Sequence, residues 1–249
     1  MANLLKTEWY KLRKDRSFLF LTVMLLGIAV LFPLLEFDNS GSGLPTVKNY
    51  YLNNILSIHT DIAKLIPSIL AGFFITSEYS RGTMKSICSS GHDRIRIYTA
   101  KLIIFSAGAI IISLILPICM TGASAVYFGF NEMPEGMFYF QTIGLIMLYV
   151  AAFASIMAIF ATIFTDSGKT IGFLLLFFML VDWPLQVLAA KVPFLEPVID
   201  HSVFKLVYSI VNIRQLDSSE VLYLVSIPVL TFLVCGIIGS CIFYRKEIK

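Results

Sequence analysis

Three sets of residues in this chain are of types that do chemistry. The first is Asp166-Ser167-Gly168-Lys169-Thr170, whose Gly-Lys-Thr resembles the end of a phosphate-binding loop. That loop needs a second glycine five residues before the Gly-Lys-Thr glycine, so that bare backbone can wrap a phosphate. Ile163 stands there, inside an apolar run, so a helix-to-helix turn with Lys169 at the headgroups is the better reading. The second set is the histidines, His59, His92 and His201. None lies in a His-Glu-x-x-His arrangement or beside a pair of other ligand types, and each is expected in a loop or at the end of a span. Hydrolytic or metal chemistry therefore has no scaffold in the sequence. The third set is a basic polar island over residues 76–101, holding Glu78, Arg81, Gly82, Thr83, Lys85, Asp93, Arg94, Arg96 and Lys101 between two apolar stretches.

The elements that carry these residues follow from composition. With 57% hydrophobic and 14% charged residues and a mean hydropathy of +0.83, the chain lacks the polar surface of a soluble domain, where about 25% of residues are charged. Charge-free runs cover 17–35, 65–77, 102–131, 136–165, 170–181 and 221–244. Four reach or approach the ~20 residues needed to cross ~30 Å of hydrocarbon. The other two become full spans if Lys64 and Asp182 are tolerated near their ends. The expected fold is an all-α integral membrane domain over 1–249 with six transmembrane helices. An amphipathic interfacial helix over 2–15 precedes them, with Leu4, Leu5, Trp9 and Leu12 at roughly helical spacing. The residues before the first run are basic, and that run is too long for a signal-peptide core.

Alternating the segments across the membrane puts fourteen Lys and Arg on one side and five on the other. Basic residues favour the cytoplasm, so both termini and the island are expected inside. The outer connections are then a loop over 36–60 with Gly41, Gly43 and Pro45, a short turn from Asn131 to Gly136, and a mixed segment over 187–219 that could form short re-entrant helices. Cys88, Cys119, Cys235 and Cys241 show no paired spacing and read as reduced packing residues.

Within the spans, an ionisable side chain is costly. Asp182 lies thirteen residues beyond Lys169, and Lys64 fourteen before Glu78, so both sit at similar outer depth. They are either interfacial charges solvated by headgroups, or they face the bundle interior and line an outer vestibule. Pro67, Pro117 and Pro184 mark expected kinks. Gly168 with Gly172, and Gly236 with Ser240, have the small-residue spacing that permits close helix approach.

In the island, Glu78 closes the second span, and Arg81-Gly82-Thr83 suggests a turn with a helix-capping hydroxyl. Lys85 to Cys88 can form a short helix, which Ser89, Ser90 and Gly91 would end. A short polar helix lying crosswise below a bundle suits a soluble partner.

Glu78, Gly82, Thr83 and Lys85, followed by "HDRIRIYTAK" and set among six spans, resemble the pattern in permease subunits of the ABC-2 family of ATP-binding-cassette exporters. The opening "LLKTEWYKLRK" is most similar to bacterial permeases of bacitracin resistance and lantibiotic immunity. The resemblance implies an elbow helix over 2–15 and a cytoplasmic coupling loop over 78–100, in which Glu78, Arg81, Gly82, Thr83 and Lys85 would contact a separate ATPase subunit. It also implies re-entrant outer helices over 187–219, a second permease copy or paralogue, and a multi-pass place in a bacterial cell membrane. ATP and magnesium would be bound by the partner, with no cofactor in this chain, no catalysis of its own and no nucleic-acid partner. The cargo would be an amphipathic peptide or a lipid-like molecule. The alternative is a signalling or structural membrane subunit that docks an ATPase and transports nothing.

Overall fold

The computed structural model describes residues 1–39, 45–89, 91–130 and 132–247, and these are helices joined by short turns. Gly41, Gly43, Ser90, Asn131 and Lys249, used above as turn or charge markers, lie outside the described residues. The first helix, α1 (Ala2–Lys14), carries Lys11, Arg13 and Lys14 in its last turn, where cations complement the helix dipole. Asp15 breaks it in an extended conformation. Its carboxylate then accepts hydrogen bonds from the backbone N–H of Ser17 at 2.8 Å and Phe18 at 3.1 Å. One residue thus ends the interfacial helix and caps α2 (Arg16–Asn39), the first span.

The second span is longer than its charge-free run. Helix α3 (Val47–Tyr50) passes through a π-turn at Tyr51–Ile55 into α4 (Leu56–Phe74), and α5 (Ser77–Ser80) follows. The expected outer loop over 36–60 is therefore helical from Val47 onward. Polar residues such as Asn49 and Asn53 hid this, but the aromatic residues between them hold the helix in the core. Tyr50 packs edge-on against Phe128, Tyr51 against Phe138 and Tyr139, and the Tyr51 hydroxyl lies 2.6 Å from that of Thr142. His59 is consequently buried within a helix, not in a loop, with its ring against the Ser113 backbone.

After α6 (Thr83–Ser89), the third span runs through α7 (Arg94–Ile115), a π-turn at Leu116–Met120 and α8 (Thr121–Phe128). Pro117 explains the interruption. It has no N–H to offer the Ser113 carbonyl one turn earlier, which is the backbone that His59 meets. The Pro117 carbonyl is in turn taken by the Thr121 hydroxyl at 2.6 Å and the Tyr139 hydroxyl at 3.2 Å.

The fourth span is α9 (Gly136–Ile163). The fifth is bent: α10 (Ser167–Leu180) and α11 (Asp182–Lys191) meet at 42°, so the described residues hold five continuous candidate spans and a sixth broken one. Pro184 sits in the first turn of the tilted half. The mixed segment that follows forms α12 (Glu196–Asp200), α13 (Val203–Leu206) and a 3-10 stretch at Val207–Gln215. The last span, α14 (Ser218–Arg245), begins with a capping box between Asp217 and Glu220.

The core lies among α4, α7 and α9, with α14 along α9 and α7 and with α10 against α4. Of the glycines singled out by spacing, Gly236 lies close to a neighbouring helix, where a Cβ would come within 3.3 Å of Leu102, and the tightest approaches fall at other glycines. A side chain at Gly239 would collide with Tyr98, one at Gly72 with Ile171, and one at Gly108 with Leu12. Gly172 has open space around it. Small-residue spacing marks a helix that can be approached; which glycine is used depends on the bulky residue facing it.

Candidate functional site

At the end of the bundle where α1, α5 and the start of α7 meet, four ionised side chains close a ring. Helix α1 turns Leu5, Glu8 and Leu12 toward the bundle, so the middle residue of its buried stripe is a carboxylate. Glu8 Oε1 receives Lys11 Nζ at 2.6 Å, and Glu8 Oε2 receives Lys101 Nζ at 3.0 Å. Glu78 repeats the arrangement, with Oε1 at 2.7 Å from Lys11 and Oε2 at 2.7 Å from Lys101. The last of these is an ion contact without aligned hydrogen-bond geometry. Glu8, Glu78 and Lys101 are only 4%, 8% and 5% exposed.

Taking such ions out of water costs several kcal/mol each. The ring offsets that cost by alternating two carboxylates with two ammonium groups, so every ion has two opposite neighbours and the sum is neutral. Burial alone would lower the pKa of Lys11, but its hydrogen bonds to Glu78 and Glu8 outweigh it and hold the ammonium above its usual range. Lys101 adds a face-on contact with the Phe74 ring, 5.0 Å from its centroid.

Beyond the ring the chain turns outward. Gly82 adopts φ of +71°, a left-handed conformation suited to glycine. The Thr83 hydroxyl donates back to the Glu78 carbonyl at 3.3 Å, closing the turn instead of capping α6. Met84, fully buried, pins α6 to the bundle, and burial pushes the Cys88 thiol up. Arg81, Gly82, Thr83 and Lys85 are exposed. The five residues expected to act together therefore divide: Glu78 holds the segment from inside, and the other four form its outer surface.

The same end is tied at two more points. Lys246 donates to the Thr162 carbonyl and, at 3.3 Å, to that of Ile163, which closes the C-terminus of α9. Its ammonium sits 4.7 Å from the Tyr79 ring centroid, and burial pushes its pKa down. Arg94 donates to the carbonyls of Tyr244 at 3.1 Å and Lys246 at 2.8 Å. Helix α1 and the C-terminal end of α14 thus both lie here, beside α5 and α6.

The Gly168-Lys169-Thr170 segment is a capped turn. Asp166 accepts the Lys169 N–H at 2.8 Å, and the Thr170 hydroxyl donates to the carbonyls of Asp166 and Phe164.

Toward the opposite end, Lys64 and Asp182 meet. Lys64, 2% exposed, donates to Asp182 Oδ2 at 2.9 Å and to the Tyr208 hydroxyl at 2.9 Å. Tyr208 donates to the same carboxylate oxygen at 2.7 Å. The cluster joins α4 to the bend of the fifth span and to the 3-10 stretch, beside a cavity of about 310 Å³ that Asp200, Phe204 and Lys205 also line. The two charges are paired with each other, not solvated separately.

Sequence reasoning missed Glu8, Lys11 and Tyr208 as partners and counted Lys101 only as part of the island. One signal was available for Glu8: a carboxylate between Leu5 and Leu12 on an apolar stripe requires a buried cation. The family model described as ABC-2 family transporter protein matches residues 4–181, from α1 to the bend of the fifth span. No curated protein matches the sequence. With most of its length matched, including all four ring residues, this chain belongs to the ABC-2 family of transporter membrane proteins.

Proposed function

We propose that this permease is worked by a separate ATPase pressing on α5 and α6 from the cytoplasm, and that it exports an amphipathic peptide or lipid-like molecule from a bacterial membrane. The observation that carries the reading is the clasp at residue 78. Glu78 is locked by two ammonium groups to α1 and α7, while Arg81, Thr83 and Lys85, shortly after it, are exposed on the surface. Under this proposal a push on that surface reaches α1 and α7 through the two 2.7 Å ion contacts of Glu78, and α4 through the chain that leads into α5. In this reading α1 is the elbow helix, and Lys64 with Asp182 borders an outer vestibule.

Pairing with a second permease, identical or related, is part of the proposal. Its support is the apolar outer surface of α2 and α14, whose window of highest hydropathy is 28% and 11% buried, respectively, against 67% for the second span. Those faces are left for lipid or for another permease. Their character also favours a cargo that travels from the bilayer.

Charge reversal in Arg81→Glu/Lys85→Glu tests the docking. Because both side chains are exposed, the helical fold should be retained, while the ATPase is lost on co-purification and export stops. Undiminished co-purification with wild-type export would overturn the proposal.

A further inference from the structure

A cavity of about 770 Å³ opens between α1, the start of α2, the end of α4 and α6. Among the described residues, the charges around it are unbalanced. Asp15 is occupied in capping α2, and Glu78 and Lys11 are occupied in the ring. Lys14, Arg16 and Arg81 also line the cavity and make no ion pair, so the wall presents three uncommitted cations. Between them stand the hydroxyls of Ser17, Ser77 and Ser86, and Phe73 and Phe74 form an apolar floor.

The depth of the cavity follows from its walls. Arg16 and Ser17 open an apolar span, and Phe73 and Phe74 close another, so the cavity lies where hydrocarbon gives way to headgroups. Phe20 and Met24, exposed one and two turns beyond Ser17 on the same face of α2, continue it into the hydrocarbon.

We infer that this cavity holds the headgroup of an anionic phospholipid of the inner leaflet. Its phosphodiester takes the cations, the hydroxyls bond the remaining oxygens, and the acyl chains run along Phe20 and Met24. The volume suits such a group, since ligand cavities are roughly 300–1,000 Å³. A soluble protein segment would have to cross the headgroup layer to reach Phe73. The bound lipid would wedge α1 against α6, beside the docking surface, with which the cavity shares Arg81 and Thr83. The inference needs the membrane fold but not the ATPase reading, and Lys14 and Arg16 lie outside the Arg81–Lys85 surface.

The test compares the full-length wild type with Lys14→Glu/Arg16→Glu in vesicles of phosphatidylcholine with and without phosphatidylglycerol. Lipids retained after purification are counted by native mass spectrometry. The wild type should retain phosphatidylglycerol, and the charge reversal should weaken that preference roughly tenfold or more, since each cation near an anionic surface contributes on the order of tenfold or less. Lys14→Arg/Arg16→Lys, which keeps the charges, should retain the lipid and so separates charge loss from misfolding. Equal retention in all three proteins would overturn the inference. So would displacement of the lipid by inorganic phosphate alone, which would give the cavity to a soluble anion. Loss of the ATPase from the charge-reversed protein with lipid retention unchanged would give it to the partner and also overturn the inference.

Discussion

Two charged clusters hang on one helical stretch, and they are built differently. Glu78 and Lys64 are fourteen residues apart along α4 and α5. At the Glu78 end, two carboxylates and two ammonium groups form a closed ring in which every ion has two opposite partners. At the Lys64 end, one ammonium meets one carboxylate, with the Tyr208 hydroxyl bridging them. The ring can lose any one contact and leave each ion with another. The Lys64 cluster has no such reserve, and it spans the bend between α10 and α11 and the short outer helices, segments with few long-range ties. In the proposed function, one end of the helix transmits force and the other yields to it. In the proposed cycle, docking movement enters through the stiff end and the outer cluster parts.

The strongest way to break this contrast is to remove one ion from the ring. Lys101→Met leaves Glu8 and Glu78 buried with only the partly exposed Lys11 between them. Breaking a buried ionic cluster by removing one member costs roughly 3–5 kcal/mol. Chemical unfolding in detergent should show a loss of that order. Glu8→Gln combined with Lys101→Met restores neutrality and should recover a large part of it. If the single variant is as stable as the wild type, the ring does not hold α1 to the bundle.

The outer cluster should be cheaper to disrupt, because the Asp182 side chain is 27% exposed and can turn to water when its partner is gone. Lys64→Met is expected to cost roughly 1.5–3 kcal/mol, the range for hydrogen bonds to charged groups. Lys64→Met/Asp182→Leu, which removes both charges, should return to near wild-type stability. The same double variant sharpens the functional side of the comparison, since a latch removed without loss of fold should change transport while leaving ATPase co-purification intact. A double variant less stable than the single one would mean that Asp182 has a structural task apart from Lys64.

What could be read from the sequence and what could not divides along the same line. Spans α2, α9 and α14 follow from charge-free runs, because a long apolar helix is a local property and needs no partner to be recognised. The turn at Gly82 and the exposure of Arg81 and Lys85 are local in the same sense. The ring is not. Glu8 and Lys101 are 93 residues apart and Lys11 and Glu78 67 apart, and no spacing rule links them. Only the docking of α1 across α7, through Leu12 packed over Gly108, brings them together. The second span was underestimated for the opposite reason. Its outer half reads as polar by composition, yet Tyr50, Tyr51 and Ile55 bury against α8 and α9, and tertiary packing keeps it helical.

The smallest expected effect, and the most specific for the ring, is its response to alkali. Lys11 has its pKa held above 10.5 in the folded protein by Glu78 and Glu8, against the opposing effect of burial. A basic group whose folded pKa exceeds its unfolded one stabilises the fold below the unfolded value and loses that contribution as pH rises through the folded one. The contribution of Lys11 is thus complete below its ordinary value of 10.5 and is lost as pH rises through the higher folded value. Because its side chain is 34% exposed, solvent screens much of the interaction, and the change should be modest. The informative quantity is the difference between wild type and Lys11→Arg, whose guanidinium stays charged above pH ~12. Unfolding midpoints of the two proteins should run parallel up to about pH 10 and then separate, with the wild type falling first. Curves that stay parallel through the alkaline range would mean that Lys11 is a bystander, and that Lys101 alone joins the two carboxylates.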